Sequence, residues 1–270
     1  MMGGALHRLG RAGRFLWGGW AGLAGLCLLA ALWQAGHEAW GDFILPAPLA
    51  VLAAAAALLR DPASWEVIGR TMTRAAGGFA LAGVAGGLAG LAAGYSPATM
   101  RLARPLLTVI LGVPPIAWLV VAMIWFGATD GMVMVTILVG VVPLVFAGTA
   151  EGVAGRDRGL DAMAQAFGAG PWRRFWSVGL RQMLAHLFPA LVLGLATSVK
   201  VAVMIEVLTT VGGIGNELAR ARQYMDVTLA LAWIVIAVAG LVVLEYGILH
   251  PIRAETERWR EAARPWGVKR

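Results

Sequence analysis

Long apolar runs separated by short polar stretches dominate the chain. A transmembrane helix needs about 20 predominantly apolar residues, and six runs are long enough to qualify. The predicted spans cover roughly 15–36, 67–94, 105–127, 131–150, 187–210 and 227–249. The pattern therefore predicts an all-α membrane protein with six transmembrane helices.

The first predicted span, 15–36, follows Arg8, Arg11 and Arg14 and so has the charge pattern of a signal peptide. Its apolar part is longer than the 7–15 residues of a signal's apolar region, and no clear small-residue cleavage site follows. We therefore expect an uncleaved first helix after a short N-terminal segment, 1–14.

The apolar run 44–60 is shorter than a span. Pro46 and Pro48 stand at its start, and the apolar part after Pro48 is about 11 residues, too short to cross a bilayer. The sequence predicts an interfacial helix here, within a periplasmic segment, 37–66. This segment joins the first span to a core of five spans, 67–250.

Composition supports a membrane protein: 59% of the residues are hydrophobic and 14% are charged, against about 25% charged in soluble domains. The net charge is +7, and in a membrane protein such an excess belongs in cytoplasmic loops. We therefore expect lipid contacts and no nucleic-acid partner.

The distribution of basic residues predicts the orientation. With the N-terminus inside, sixteen Lys and Arg residues fall on the cytoplasmic side, five on the opposite side, and Lys200 within a span. Under the positive-inside rule both termini are cytoplasmic, including the C-terminal tail, 251–270. The polar loop 151–186, between spans four and five, is then cytoplasmic as well.

No pattern in the sequence supports an enzyme. Cys27 is the single cysteine, the four histidines have no metal-ligand spacing, and no nucleophile–base arrangement stands out. A phosphate-binding loop of the G-x-x-x-x-G-K-[ST] type is absent from the sequence. We expect no catalytic residue, metal site or cofactor in this chain, and a transport drive from a gradient or from a partner.

Several spans contain residues that are unusual in a plain membrane helix. Gly86, Gly90 and Gly94 recur every four residues, which indicates close helix packing or a moving interface. Pro114 and Pro115 lie in the third span, where they indicate either a structural kink or a transport pathway.

Lys200 and Glu206 are the ionisable residues of the fifth span. Six residues correspond to about 240° around a helix, so they do not share a face. Each needs a partner on another helix or a substrate. Both a structural and a pathway role stay open.

Several methionines lie near the outer half of the predicted spans, among them Met123 and Met204. The simpler interpretation is that they fill gaps in the packing. The alternative is that their thioethers bind a soft metal.

Three stretches of the chain have distinctive patterns. "ILPAPLAVLAAAAALL" begins with Leu-Pro-x-Pro, and "VIGRTMTRAAGGFALAGVAGGLAGLAAGYS" is a span with arginines followed by many glycines. "RPLLTVILGVPPIAWLVVAMIWFG" is a span with Pro-Leu, Pro-Pro and Trp-Phe-Gly. Together they resemble the inner-membrane permease subunits of binding-protein-dependent ABC importers, nearest to the nitrate, sulfonate and taurine permeases. The resemblance covers about residues 40–260 and implies the type I ABC importer permease fold.

The hallmark of those permeases is a cytoplasmic loop with Glu-Ala-Ala followed by a glycine. Gly168 falls at that glycine, but the triplet is Ala162-Met163-Ala164. The glutamate is absent, and Asp161 stands one position before it. "GAGPWRRFWSV" still resembles the continuation of the loop, so the loop is a divergent copy.

A short helix that projects from the bundle can dock in a groove of a soluble ATPase, with apolar anchors and a charged rim. An amphipathic helix that only anchors the loop to lipid is the alternative. The resemblance favours ATPase coupling. The expected coupling residues are Asp161, Ala162, Ala164, Phe167, Gly168, Trp172, Arg173, Phe175 and Trp176.

The resemblance implies a homodimer in the bacterial inner membrane, two ATPase subunits that carry ATP and Mg²⁺, and a periplasmic binding protein or lipoprotein. It also implies a small anionic solute such as nitrate, a sulfonate or taurine, with a neutral vitamin or precursor as the alternative. The expected pathway residues are Pro114, Pro115, Trp118, Met123, Lys200, Met204 and Glu206. A gradient-driven transporter with Glu206 as proton relay, and a non-transporting membrane scaffold, are the competing hypotheses.

Overall fold

The computed structural model describes residues 24–249, and every regular element in that range is helical. The α-helices, numbered in chain order, are 24–40 (α1), Pro48–Arg60 (α2), Pro62–Tyr95 (α3), Pro97–Gly112 (α4), Pro115–Phe126 (α5), Asp130–Ala154 (α6), Arg158–Ala166 (α7), Pro171–Arg174 (α8), Leu180–Leu208 (α9), Ile214–Gln223 (α10) and Val227–Leu244 (α11). A π-helical turn, Phe175–Gly179, joins α8 to α9, and another, Glu245–Leu249, follows α11. The predicted all-α fold is confirmed.

Four helices of the described part are long and apolar enough to cross a membrane: α3, α6, the continuous helix Pro171–Leu208 and the helix Val227–Leu249. The pair α4 and α5 meets the same criteria as a broken span or a re-entrant loop. These elements correspond to the second to sixth predicted spans. The first predicted span, 15–36, lies partly outside the described residues, and the segments 1–14 and 251–270 lie wholly outside them.

Helices α3 and α6 pack side by side along the glycine stripe. A Cβ atom at Gly86, Gly90 or Gly94 would come within 3 Å of atoms of α6. Gly86 faces Val142, and Gly94, two turns later, faces Val153, so the two helices run parallel. In a membrane, small residues stabilise a bundle by letting backbones approach closely. The stripe is therefore a packing surface inside one chain.

Helix α9 completes the core by packing against α6 in the opposite direction. Gly148 of α6 faces Ala190, and Gly152, one turn further along α6, faces Met183. The core cluster is filled by buried residues of α3, α5, α6 and α9, among them Ala75, Phe79, Leu119, Ile137, Val141, Leu195, Ala202 and Ile205. The central unit is thus three helices in contact, with the other elements arranged around it.

The predicted third span, 105–127, is two helices rather than one kinked helix. Helices α4 and α5 meet at an angle of 94°. Val113 and Pro114 between them are extended, with ψ values of 126° and 142°. A residue that precedes a proline is pushed out of the helical region. Because Pro114 and Pro115 are consecutive, two residues in succession leave the helix.

The predicted loop 151–186 is also more helical than expected. α7 occupies its first half, and its second half is the start of a 38-residue helix, Pro171–Leu208. The predicted fifth span, 187–210, is the far part of this helix. Apolar content indicates only the membrane-buried part of a helix. Where a helix continues with polar residues beyond the membrane, the hydropathy pattern therefore predicts a loop.

The short run 44–60 contains α2, which packs on α11 rather than standing free. Val51 and Ala55 are buried in a cluster with Trp233 and Ile236 of α11. The indole nitrogen of Trp33 donates a hydrogen bond to the carbonyl of Pro46 at 3.0 Å. Helix α2 thereby ties the start of the described chain to its last helix.

We expect Gly90→Ala to destabilise the bundle, because its Cβ atom would lie 2.6 Å from the carbonyl oxygen of Phe146. Overpacking of this kind costs about 1–3 kcal/mol. Gly87→Ala is the matched control, since a Cβ atom there meets nothing within 4 Å. Thermal unfolding of the detergent-solubilised chain measures both variants. Equal melting temperatures for the two would contradict the α3–α6 contact.

Candidate functional site

Arg74 and Glu206 form an ion pair inside the bundle, at the end opposite α7. Nη1 of Arg74 lies 2.9 Å from Oε1 of Glu206, whose side chain has 0% exposure. The sequence argument that Glu206 needs a partner on another helix holds, and α3 supplies it. Arg74 also contacts Asp130 at the start of α6, with Nε and Nη2 at 2.8 and 2.7 Å from Oδ1.

Arg74 further binds the link between α9 and α10. Its Nη1 donates to the carbonyl of Gly212 at 2.6 Å, and its Nη2 donates to the carbonyl of Val211 at 2.9 Å. A guanidinium group has five N–H donors in a fixed planar arrangement. Here each of its three nitrogens has an acceptor, so one side chain fixes α3, α6, α9 and the link at the same time.

Glu206 has two further partners on its other carboxylate oxygen. Thr71 donates its hydroxyl to Oε2 at 2.7 Å, and the backbone nitrogen of Gly215 donates at 3.1 Å. Thr71 in turn accepts a hydrogen bond from the backbone nitrogen of Ile214 at 2.8 Å. Gly213 has φ 124°, and a Cβ atom there would overlap the Glu206 carboxylate. We call Thr71, Arg74, Asp130, Glu206 and residues 211–215 the Arg74 cluster.

Sequence reasoning missed the centre of this cluster. In the sequence analysis Arg74 was counted only as one of the five basic residues on the outer side. The available signal was its position: Arg74 lies well inside the 34-residue helix α3. An ionisable residue at such a place costs several kcal/mol unless it is paired. Asp130 and Thr71 carried no comparable signal, because acidic and hydroxyl residues at helix ends are common.

Lys200 and Met204 lie apart from Glu206 and share a cleft between α9 and α11. The cleft has a volume of about 340 Å³. Its lining residues are Val199, Lys200, Val203, Met204, Leu218, Ile234, Ala237, Val238 and Leu241. Lys200 is exposed and has no hydrogen bond or ion pair with any residue of 24–249. The two ionisable residues of the fifth span therefore have opposite environments.

The other predicted pathway residues lie at the break between α4 and α5 and along α5. Pro114 and Pro115 are exposed at the break, and Met123 is exposed on α5. The indole Nε1 of Trp118 is buried, with no acceptor among the described residues. The structure thus divides the seven predicted pathway residues among three places: the break with α5, the cleft and the Arg74 cluster.

The predicted coupling residues lie together on a projection formed by α7, the turn after it, α8 and the π-helical turn, which we call the coupling segment. Gly168 has φ 78° and is the residue that allows the turn. Gly168 N bonds the carbonyl of Gln165 at 2.9 Å, and Ala169 N bonds that of Ala164 at 3.0 Å. These two bonds are the Schellman motif that ends a helix.

Aromatic side chains form the outer surface of the coupling segment. Trp172 and Trp176 meet edge to face with centroids 5.6 Å apart, and Phe175 lies 5.7 Å from Trp176. Phe167 is 85% exposed and Trp172 is 73% exposed. The remaining predicted coupling residues are exposed or half-buried on the same segment: Asp161, Ala162, Ala164 and Arg173.

Polar bonds hold the coupling segment to the bundle. Arg156 donates to the hydroxyl of Tyr95 at 2.7 Å and lies 4.4 Å above that ring. The backbone nitrogen of Asp157 donates to Oε1 of Gln182 in α9 at 2.6 Å. Arg74 and Arg156 thus secure opposite ends of α3. The coupling segment is attached at its base and open at its aromatic surface.

This architecture defines a multi-pass membrane protein with a projecting helical segment and an ion-paired opposite end. Within residues 24–249, no three His, Cys, Asp or Glu side chains are placed to hold a metal ion. The chain belongs to the family described as the binding-protein-dependent transport system inner membrane component, whose model matches residues 82–249. The resemblance inferred from the sequence is confirmed, and the fold is that of the type I importer permeases.

Three relatives agree with this assignment. The chain is 27% identical to the putative aliphatic sulfonates transport permease protein SsuC of Bacillus subtilis over 93% of this chain and 92% of the relative. It is 25% identical to the taurine transport system permease protein TauC of Escherichia coli K12, over 70% and 68% of the two chains. It is also 25% identical to SsuC of Escherichia coli K12, over 77% and 80%.

We expect Arg74→Met to destabilise the chain by roughly 3–5 kcal/mol, because it leaves Glu206 as an unpaired buried charge. Arg70→Met is the control, since Arg70 makes an exposed pair with Glu66 one turn away; such pairs are worth about 0.3–0.5 kcal/mol. Thermal unfolding in detergent measures both.

A second variant separates pairing from packing. Arg74→Met combined with Glu206→Leu removes both charges and should recover part of the lost stability. A double variant as unstable as the sum of the two single variants would contradict the ion pair as the source of the effect.

Proposed function

We propose that this chain is one permease protomer of a type I ABC importer, working as a homodimer with two cytoplasmic ATPase subunits. The family assignment supports the importer class. ATP and Mg²⁺ would be held by the ATPase subunits, and this chain would provide the route across the membrane. It would change access from one side to the other without covalent chemistry.

The exposed aromatic surface of the coupling segment is the observation that carries the ATPase proposal. Phe167, Trp172 and Trp176 are large apolar side chains left outside the bundle. Buried aromatic residues with a rim of arginine are the usual strong contributors at protein interfaces. Arg173 and Arg174 stand beside them. The Schellman turn holds this surface in a defined shape before any partner binds, which reduces the cost of association.

The missing Glu of the family loop does not remove this surface. Asp161 is in the first turn of α7, where a carboxylate interacts favourably with the helix N-terminus. Asp157 caps the same helix, accepting from the backbone nitrogen of Gly159 at 2.7 Å. We propose that the apolar face, rather than the absent carboxylate, provides most of the binding energy.

The orientation follows from this proposal. An ATPase is cytoplasmic, so the coupling segment faces the cytoplasm and the Arg74 cluster lies near the periplasmic face of the inner membrane. Both termini would then be cytoplasmic, as the positive-inside rule also predicts. A periplasmic binding protein or lipoprotein would deliver the solute at the end that carries α10.

The relatives suggest the class of solute. Two are named for aliphatic sulfonates and one for taurine. All of these carry a sulfonate group, so we propose a small organic anion as the transported solute. The unpaired charge of Lys200 agrees with an anion. It argues against a neutral vitamin or precursor, which would leave that charge without a partner.

A proton-relay role for Glu206 receives no support from the geometry. Its carboxylate has no exposed surface and is bound by Arg74, Thr71 and Gly215. A relay group must exchange protons with water or a neighbouring carrier. The gradient-driven alternative therefore loses its proposed relay, and the scaffold alternative leaves the Lys200 cleft without a role.

The central test is complex formation. The purified chain should bind the ATPase encoded beside it in a 1:1 ratio of chains, as two copies of each, measured by size-exclusion chromatography with light scattering. ATP hydrolysis by the complex should rise when the binding protein and its solute are added. Failure of a folded chain to bind that ATPase would overturn the proposal.

We expect Phe167→Ala to weaken ATPase binding by at least thirtyfold, because a central aromatic anchor typically contributes about 2 kcal/mol or more. Melting temperature should not change, since the side chain is 85% exposed. Tyr224→Ala is the matched control: Tyr224 is 78% exposed, but lies beyond α10 at the other end. Equal losses of ATPase affinity in both variants would contradict docking at the coupling segment.

We expect Gly168→Val to uncouple ATP hydrolysis from uptake, because a β-branched residue is strained at φ 78° and the turn must change shape. Gly170→Val is the control in the same turn. Gly170 has φ −64°, and neither glycine has an atom within 4 Å of an added Cβ. Uptake per ATP hydrolysed in reconstituted vesicles is the measurement. Normal coupling in Gly168→Val would show that the turn geometry is unimportant.

A further inference from the structure

Lys200 is a charged residue in an otherwise apolar cleft. Every other lining residue is apolar, from Val199 and Met204 on α9 to Leu218 on α10 and Val238 on α11. The volume of about 340 Å³ falls at the lower end of the range for small-molecule sites. An ammonium group beside apolar walls matches an amphiphilic anion. The ammonium group would bind the charged head group, and the apolar walls would contact the aliphatic part.

The depth of the cleft in the membrane restricts what can occupy it. Val238 is the middle residue of the 23-residue span Val227–Leu249. Lys200 lies eight residues, or about 12 Å, from the end of α9 at Leu208. Side chains on an α-helix tilt toward its N-terminus, so the Lys200 side chain is directed away from that end.

Phospholipid phosphates lie outside the hydrocarbon core, more than about 15 Å from the midplane. A lipid head group is therefore too far from Lys200 to neutralise it. A charge at mid-depth without a partner is costly in hydrocarbon, so such residues face a water-filled cavity or a bundle interior. An anion that reaches the middle of the membrane through the protein would supply the missing partner.

We propose that the cleft between α9 and α11 is a solute site within the membrane, in which Lys200 binds the head group of a small organic anion. The apolar residues Val203, Ile234, Val238 and Leu241 contact its aliphatic part. This inference rests on the proposed transport function and extends it. Specificity would then be set inside the permease as well as in the binding protein.

A cysteine in the cleft tests this proposal without measuring transport. Val238→Cys is made in a Cys27→Ser background, since Cys27 is the single native cysteine. The full chain, in phosphatidylcholine nanodiscs with and without the ATPase, is labelled with two reagents of similar size. One is 2-sulfonatoethyl methanethiosulfonate, an anion, and the other is its trimethylammonioethyl counterpart, a cation.

The measured quantity is the ratio of the labelling rates of the anionic and cationic reagents at Val238→Cys. We expect Lys200→Met to lower this ratio about tenfold, because a charge-assisted contact with the anionic reagent is lost. Lys200→Arg should retain the preference. Pentane-1-sulfonate should slow the labelling, and each methylene removed from it should weaken protection about fourfold. Val243→Cys, on the exposed part of α11 outside the cleft, should show no effect of Lys200.

Three results would overturn the proposal. The first is an unchanged reagent preference after Lys200→Met. The second is no protection by pentane-1-sulfonate. The third is loss of the Lys200-dependent preference, measured relative to Val243→Cys, when phosphatidylglycerol replaces part of the lipid, which would assign the cleft to lipid head groups. The comparison with Val243→Cys removes the general effect of an anionic surface on the two reagents. The labelling does not need the ATPase, so a chain that passes it but binds no ATPase would separate the site from the importer proposal.

Discussion

The buried guanidinium of Arg74 is the interaction on which the arrangement of the bundle depends. It binds Glu206 of α9, Asp130 of α6 and two carbonyls of the 211–212 link. Glu206 is fully buried, so without Arg74 it would be an uncompensated charge inside the bundle, at a cost of several kcal/mol. Because one side chain binds all four partners, it fixes the three core helices and the link to α10 relative to one another at this end.

The two ends of the bundle differ in what their polar groups bind. At one end, Arg74 pairs with Glu206 and Asp130 within the chain and binds the backbone carbonyls of the 211–212 link. At the other end, Arg156 and Asp157 secure only the base of the coupling segment, and its aromatic residues stay exposed. A partner that grips the coupling segment therefore acts on helix α9 directly, since the segment continues into it. The 38-residue helix connects the aromatic surface to both Lys200 and Glu206 without a break in the helix.

Sequence reasoning succeeded where the signal is local. The length of the apolar runs located the spans. The glycine repeat indicated a close helix contact and Gly168 a turn, because these features depend on the size and backbone freedom of the residue itself. Sequence reasoning failed where a structural feature depends on several residues acting together or on residues far apart in the chain. The 94° break needs two consecutive prolines to act together, and the sequence indicated only a kink or a transport pathway there. The Arg74 cluster joins residues 132 positions apart, and no spacing rule brings Arg74 and Glu206 together.

The contrast between Glu206 and Lys200 explains why one helix contains both. Glu206 is neutralised by Arg74, so that pair adds no net charge to the membrane interior. Lys200 is left as the uncompensated charge of α9 within the described part of the chain. In the proposed homodimer two such lysines would carry two positive charges at mid-depth, where weak screening makes their repulsion and desolvation costly. An anionic solute lowers that cost as it passes and a neutral one does not. The unpaired charge of Lys200 would therefore both select the solute and favour its entry, while Arg74 keeps the Glu206 carboxylate paired at the end of the bundle.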